Sequence, residues 1–261
     1  MMTRFWADLP TTAFGTPAMA GRIAILPLAA VEQHGPHLPV GVDMFVAQGL
    51  VSAAAAALPA TSPALFLPVI PVCKSDEHIR FPGTLTLDWT TATKSWIEIG
   101  ESVARAGVRR LLIVTSHGGN VAPMEIAARD LRARLGLQAI TTAWARLRDT
   151  RGLYDQDGQR LDIHGGESET SLMLHFRPDL VDMARATAFA SSQSACTGNA
   201  WFGLHGAPAN AAWIADDLNA AGTVGDAAAA TAEKGAEETR RIVAGFCALI
   251  DEIAASPLPS A

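Results

Sequence analysis

Between Glu32 and Asp43 the chain places two carboxylates and two imidazoles, in the order Glu32, His34, His37, Asp43, around a Gly35-Pro36 turn. In extended backbone Glu32 and His34 project to the same side, because side chains alternate with a period of two. Asp43 falls near the first turn of the next helix and can fold back towards the same point. Carboxylate oxygen together with imidazole nitrogen suits zinc, manganese or iron, and is too rich in nitrogen for calcium or magnesium. The competing reading is a solvated loop whose acids cap the helix. It fits any one of these residues alone and fits the cluster poorly.

Three more groups have the same character. Glu77-His78 precedes Phe81-Pro82-Gly83-Thr84; His117-Gly118-Gly119-Asn120 follows an apolar run; and His164-Gly165-Gly166 leads to Glu169-Thr170-Ser171. Five of the seven histidines (34, 37, 78, 117 and 164) lie in polar, glycine-containing turns, while His175 and His205 lie elsewhere. A structural histidine is expected on a helix face or at a cap, so His117 and His164 read as functional and His37 as supporting. Glu77 and His78 read either as wall of a substrate pocket or as support for a ligand.

The elements that must position these residues follow from hydrophobic patterning. Residues 1–20 read as an irregular lead-in. Apolar runs at 23–31, 65–72, 110–115 and 138–144 predict strands, the second at an edge because it contains Pro68 and Pro71. Helices are expected over 43–58 with Asp43 as cap, 88–106 with Asp88 as cap and Gly107 as stop, 122–135 ended by Gly136, 172–176, and 225–255 with a break near Gly235 or Gly245. Residues 146–162 read as a long loop, and 186–224 carry little pattern. Strand–helix–strand spacing implies right-handed βαβ units and a parallel sheet, with ligands beyond the carboxyl ends of the strands. Glu32 and His117 both occupy that position, so they can meet although distant in sequence.

Composition bounds the rest. A chain of 261 residues, 49% hydrophobic and 18% charged, fits a single α/β domain, 1–261. A net charge of −6 without a Lys/Arg cluster argues against nucleic acid or an acidic membrane as partner. The N-terminus lacks the basic-then-apolar pattern of a signal peptide, and residues 44–60 are too diluted by alanine to span a bilayer. Three well-separated cysteines without a C-x-x-C pair read as reduced core thiols, which places the protein in the cytoplasm.

Taken together, Glu32-Gln33-His34-Gly35-Pro36-His37-Leu38-Pro39 with Asp43, Glu77-His78 with Phe81-Pro82-Gly83-Thr84, His117-Gly118-Gly119-Asn120, and His164 with Glu169-Thr170-Ser171 resemble the creatininase family of metal-dependent amidohydrolases. The resemblance spans about residues 22–176. It implies a three-layer α/β/α sandwich with a mostly parallel central sheet, one or two divalent ions (Zn, Mn or Fe), hydrolysis of a small cyclic amide or related C–N bond, and a homo-oligomer, often a hexamer. It assigns Glu32, His34, Asp43 and His117 as metal ligands, with Asp43 between two ions. Creatininase has a glutamate two residues after the histidine matching His117, serving the second ion; here that residue is Gly119. Either the second ion is lost or Glu169 completes its site. Creatininase also sets a tryptophan against the substrate ring shortly before the histidine matching His164, where this chain reads Gln159-Arg160-Leu161-Asp162. A substrate other than creatinine follows, with Arg160 meeting an anionic or strongly polar group.

The expected chemistry is attack by a water that the metal makes acidic, with His164 as proton shuttle and Glu169 beside it as a further catalytic residue. Gly118 and Gly119, through their amides, and Asn120 would hold the developing oxyanion, unless the glycines only serve a turn of positive φ. Within the family a precursor-peptide peptidase, a formamide hydrolase and a lactone hydrolase are alternatives. A serine hydrolase would need a G-x-S-x-G elbow, and Gly166-Glu167-Ser168-Glu169-Thr170 lacks the last glycine. A non-enzymatic metal- or metabolite-binding module has only Gly119 in its favour.

Overall fold

The computed structural model describes residues 3–259, so the ends of the 1–261 span (residues 1, 2, 260 and 261) lie outside the described residues. Its centre is a four-stranded parallel sheet: β1 (Ile23–Leu28), β2 (Ala64–Phe66), β3 (Arg110–Thr115) and β4 (Gln138–Ala143), in the order β2-β1-β3-β4. Alternation along the strands feeds two cores. Ile23, Ile25, Leu112 and Val114 face α1 (Val42–Ala57), α5 (Glu167–Phe176) and the long C-terminal helix α7 (Ala232–Ala255). Ala24, Leu26, Leu28, Leu111 and Ile113 face α2 (Trp89–Arg105) and α3 (Val121–Leu135). Helices thus cover both faces of a parallel sheet whose central strands β1 and β3 are almost wholly apolar and buried, a three-layer α/β/α sandwich.

The strand order reverses between β1 and β3. The chain leaves β1 through α1 on one face and enters β3 through α2 on the other, so their carboxyl ends open into a crevice. Residues 29–34 and 116–118 issue from those two ends. The short helices α4 (Gln156–Gln159) and α6 (Ala215–Leu218) and the two-residue strands β5 (Ala188–Phe189), β6 (Phe202–Gly203), β7 (Ala209–Asn210) and β8 (Gly225–Asp226) complete the described elements. The first lies in the expected loop 146–162 and the rest in or beside the low-pattern stretch. No helix among the described residues is long and apolar enough to cross a membrane. All three cysteines are free, and only Cys73 is fully buried.

Several boundaries differ from expectation for local reasons. The edge strand β2 stops at Phe66, two residues before Pro68. Asp43 does not cap α1: Gly41 holds the cap position, and Asp43 is buried in the first turn. The fifth helix begins at Glu167, not Leu172, which puts Glu169 in its first turn with Oε2 accepting from the Gly165 amide (2.6 Å). Helix α7 starts at Ala232, capped by Thr231, and runs unbroken through Gly235 and Gly245. Those glycines are contact points: a Cβ on Gly235 would collide with the Ser171 carbonyl, and one on Gly245 with that of Leu147. Close backbone approach, not a kink, is what they serve.

Candidate metal centre

Six chains of contact converge at the crevice. Glu32 arrives from the end of β1, His34 two residues later, Asp43 from the first turn of α1, and His117 just after β3. His164 and Glu169 come from the turn into α5. Glu32, His34, Asp43, His117 and His164 are all buried. Ligand atoms group as Glu32/Asp43/His117, His34/Asp43/Glu169 and Glu32/His34/His164, each set lying within 4.8 Å of one another. Asp43 Oδ2 belongs to the first two: it is 3.9 Å from His117 Nδ1 and 3.7 Å from His34 Nε2, and His34 Nε2 is 3.6 Å from Glu169 Oε2.

The donor set fits a metal. Glu32 Oε1, His34 Nε2 and Asp43 Oδ2 are buried with no hydrogen-bond partner, an expensive state for polar atoms unless a cation completes them. The ring of His34 is already oriented: Nδ1 donates to the Glu32 carbonyl (3.0 Å), which leaves the Nε2 lone pair facing the two carboxylates. His117 turns Nδ1 towards Glu32 Oε1 and Nε2 towards Glu77 Oε1, both at 3.2 Å. Lys74 in turn holds Glu77 Oε2 (2.7 Å).

Charge is strongly redistributed in this space. Burial would raise the Glu32 carboxyl, but the imidazoles of His117, His78 and His164 outweigh it and hold it well below the usual range. Burial and the adjacent Glu32 push Asp43 well above its usual value. Burial and His164 push His34 well down. For His117 burial acts downward, yet Glu32, Glu77 and Asp43 together carry it well above the ordinary imidazole range. Without a cation, that much convergent negative charge needs a proton on at least one partner; divalent ions would relieve the same repulsion.

His164 lies between the rings of His34 (centroids 4.1 Å apart) and His78 (4.2 Å), tilted by 37° and 33° to them. Its Nε2 donates to the Gln33 carbonyl (2.7 Å), leaving Nδ1 directed to the Glu32 side at 3.6 Å from Oε1. Gln33 also donates through its amide to His78 Nδ1 (2.8 Å) and the Gly222 carbonyl (2.6 Å). That fixes His78 with Nε2 pointing at Glu32 Oε1, 3.4 Å away, and burial pushes its pKa down to about 3. The Ser75 hydroxyl donates to Glu32 Oε2. Sequence patterning singled out neither Gln33 nor Ser75, because their roles are set by contacts 45 and 43 residues distant.

A cavity of about 340 Å³ opens onto these groups, lined among others by Glu77, His78, Gly118, Gly119, His164 and Glu169. Two expected substrate residues, Asn120 and Arg160, behave otherwise. Asn120 is fully buried: its amide nitrogen donates to the carbonyl of Ala29 and to Thr115 Oγ1, and its oxygen accepts from the Lys74 amide, so it ties β1, β3 and the 74–78 segment together and faces no substrate. Gly118 and Gly119 have no positive φ. At Gly119 the reason for glycine is steric, since a Cβ would run into Glu77 Oε1 and His117 Nε2. Arg160 does not line this cavity but a second, larger one beside it. His37 is structural, bonded through Nε2 to Thr170 Oγ1 (2.9 Å) and stacked on Phe189. Ser168 is buried, donates to Glu238 and lines neither cavity. His205, set apart in the sequence, lines the metal cavity, as does Trp213, which returns an aromatic face to the pocket from an unpatterned stretch.

The parallel sheet, its two helical layers and this carboxylate–imidazole cluster at the switch point define an α/β/α enzyme fold with a candidate metal centre. The chain belongs to the creatininase family, whose pattern, described as creatinine amidohydrolase, matches residues 7–250. Among curated relatives, the creatinine amidohydrolase of Pseudomonas putida is 35% identical over 176 residues, covering 62% of this chain and 67% of that protein. The mycofactocin precursor peptide peptidase of Mycobacterium tuberculosis (strain ATCC 25618 / H37Rv) is 34% identical over 160 residues, covering 59% of this chain and 58% of that protein. The chain therefore spans under two thirds of the mycobacterial relatives it matches. In solved structures the likeness extends end to end. A Bacteroides fragilis protein described as a candidate creatinine amidohydrolase superposes with a TM-score of 0.79 at 26% identity, covering 99% of this chain and all of that one. Creatininase in a Mn form gives 0.74 at 27%, covering 98% of this chain and 100% of that one.

Proposed function

We propose that the protein hydrolyses an amide C–N bond at a centre formed by Glu32, His34, Asp43, His117 and Glu169. The observation that carries this reading is the buried, unpartnered Asp43 Oδ2, set between one ligand group containing His117 and another containing His34 and Glu169. Glu169 thereby stands where the second group lacks a carboxylate from position 119. One or two divalent ions bound there would supply a Lewis acid and lower the pKa of a water. Zinc and manganese are favoured, since creatininases exist in Mn and Zn-Zn forms.

In this reading His164 moves the proton. With Nε2–H committed to the Gln33 carbonyl, Nδ1 can accept a proton from the attacking water and return it to the departing nitrogen. Oxygen from water joins the acyl carbon, the C–N bond breaks, and the amine leaves carrying that proton. The amides of Gly118 and Gly119, at the cavity wall, are the candidates for stabilising the oxyanion. A cavity of about 340 Å³ suits a small cyclic amide. An amide within a longer, peptide-like chain is the second reading, favoured by the adjoining cavity and by what the mycobacterial relatives are named for.

The test pairs metal analysis with a His164→Ala variant. Purified protein should retain roughly one to two equivalents of zinc or manganese, and the variant should keep that metal while its kcat on an amide substrate falls by about 10²–10⁴. Negligible metal, or unchanged turnover in the variant, would sink the mechanism.

A further inference from the structure

Beside the metal cavity lies a groove of about 760 Å³, lined by Asp155, Gly158, Arg160 and Leu161 and by residues between Gln193 and Pro208. His205 lines both spaces, so the groove continues the active-site cavity across one side chain. Among the described residues its lining carries one carboxylate, Asp155, and one guanidinium, Arg160. Asp155 Oδ2 is engaged locally, accepting from the Gly158 amide (2.8 Å). Arg160 is exposed and forms no ion pair among the described residues, whereas the neighbouring Arg148 and Arg151 are paired with Glu238 and Asp149. Phe202, half exposed, and Leu161 give the groove apolar surface, and Gln193 holds the far wall by bonding the Leu204 amide and the His205 carbonyl.

A single cyclic amide has no use for this second space. We infer that the groove is a substrate subsite for an extended amide chain bearing a free carboxylate: the scissile amide lies at the metal centre, the chain passes His205, and Arg160 binds the carboxylate. A guanidinium presents paired donors matched to a carboxylate, and the apolar wall would seat the side chains between. The inference rests on the amide-hydrolase reading for its chemistry, and on the groove alone for its specificity.

The experiment uses the full chain loaded with zinc or manganese, and N-acetylated peptides of two to six residues, each as free acid and as C-terminal amide. Free acids are expected to exceed their amides in kcat/KM by about tenfold or more, the worth of one charge-assisted contact at an exposed site. Arg160→Gln should remove that preference by raising KM for the free acids, with metal content intact, and Arg160→Lys should restore part of it. A second arm titrates zinc-loaded His164→Ala protein calorimetrically with the same pairs, so that binding is read even where nothing is cleaved. Hydrolysis of no compound, combined with tighter binding of free acids that Arg160→Gln abolishes, would overturn the amide-hydrolase reading and leave the subsite standing. Equal treatment of acids and amides in both arms, or a preference that survives Arg160→Gln, would overturn the subsite.

Discussion

Glu32, Asp43 and His117 stand on the ends of β1 and β3 and the first turn of α1, with exposures of 1%, 2% and 5%. Another part of the lining, His205 and Trp213, comes from a stretch whose regular elements are two-residue strands, one four-residue α-helix and a five-residue 3-10 helix. The first wall is positioned by the two cores of the sandwich; the second is held by side chain-to-backbone bonds, such as Trp213 Nε1 to the Leu204 carbonyl (3.0 Å). Packing against a sheet fixes ligand geometry closely enough for a metal, while a wall built from loops can vary to suit the substrate. On the proposed function, metal binding would belong to the sheet side of the cavity and selectivity to the loop side.

Substitutions on the two walls should separate those properties. Asp43→Asn removes charge from the atom shared by two ligand groups, so metal content measured by mass spectrometry should collapse and activity fall by about a thousandfold. An Asp43→Asn protein that keeps its full metal complement would show that the groups do not share this residue. Gly119→Ala should lower stability by about 1–3 kcal/mol through the clash with Glu77 and His117. Thermal melts should show the loss largely relieved when Glu77→Ala is added; strict additivity of the two changes would mean the clash is absorbed elsewhere. Trp213→Ala, on the loop side, should leave metal content and melting temperature nearly unchanged and raise KM by about tenfold. A comparable loss of bound metal would erase the distinction between the walls.

That Glu32, His34, Asp43, His117, His164 and Glu169 gather into candidate ligand groups was legible in part, because ligand chemistry concentrated in short glycine-containing turns after apolar strands is a local signal, with Glu169 brought in by the family resemblance. The parallel sheet was legible too, since apolar runs alternating with amphipathic segments read as βαβ units, whereas the three-layer sandwich was an implication of the family resemblance. Asn120 misled because a polar residue after a strand looks the same whether it meets substrate or, as here, bonds Ala29, 91 residues away. Gly235 and Gly245 misled because low helix propensity was outweighed by the close approach of α7 to Ser171 and Leu147.

The sequence by itself determined which side chains can bind a metal and that they gather at strand ends, since both follow from residue type and from periodicity along a few turns of chain. Only the tertiary structure decided which partners share Asp43, His117 with Glu32 on one side and His34 with Glu169 on the other, that Gly119 makes room for Glu77, and that Arg160 faces a separate groove joined to the metal cavity at His205. Each of those depends on segments tens of residues apart meeting at a few ångströms, a distance set by how the layers pack and invisible to any local pattern.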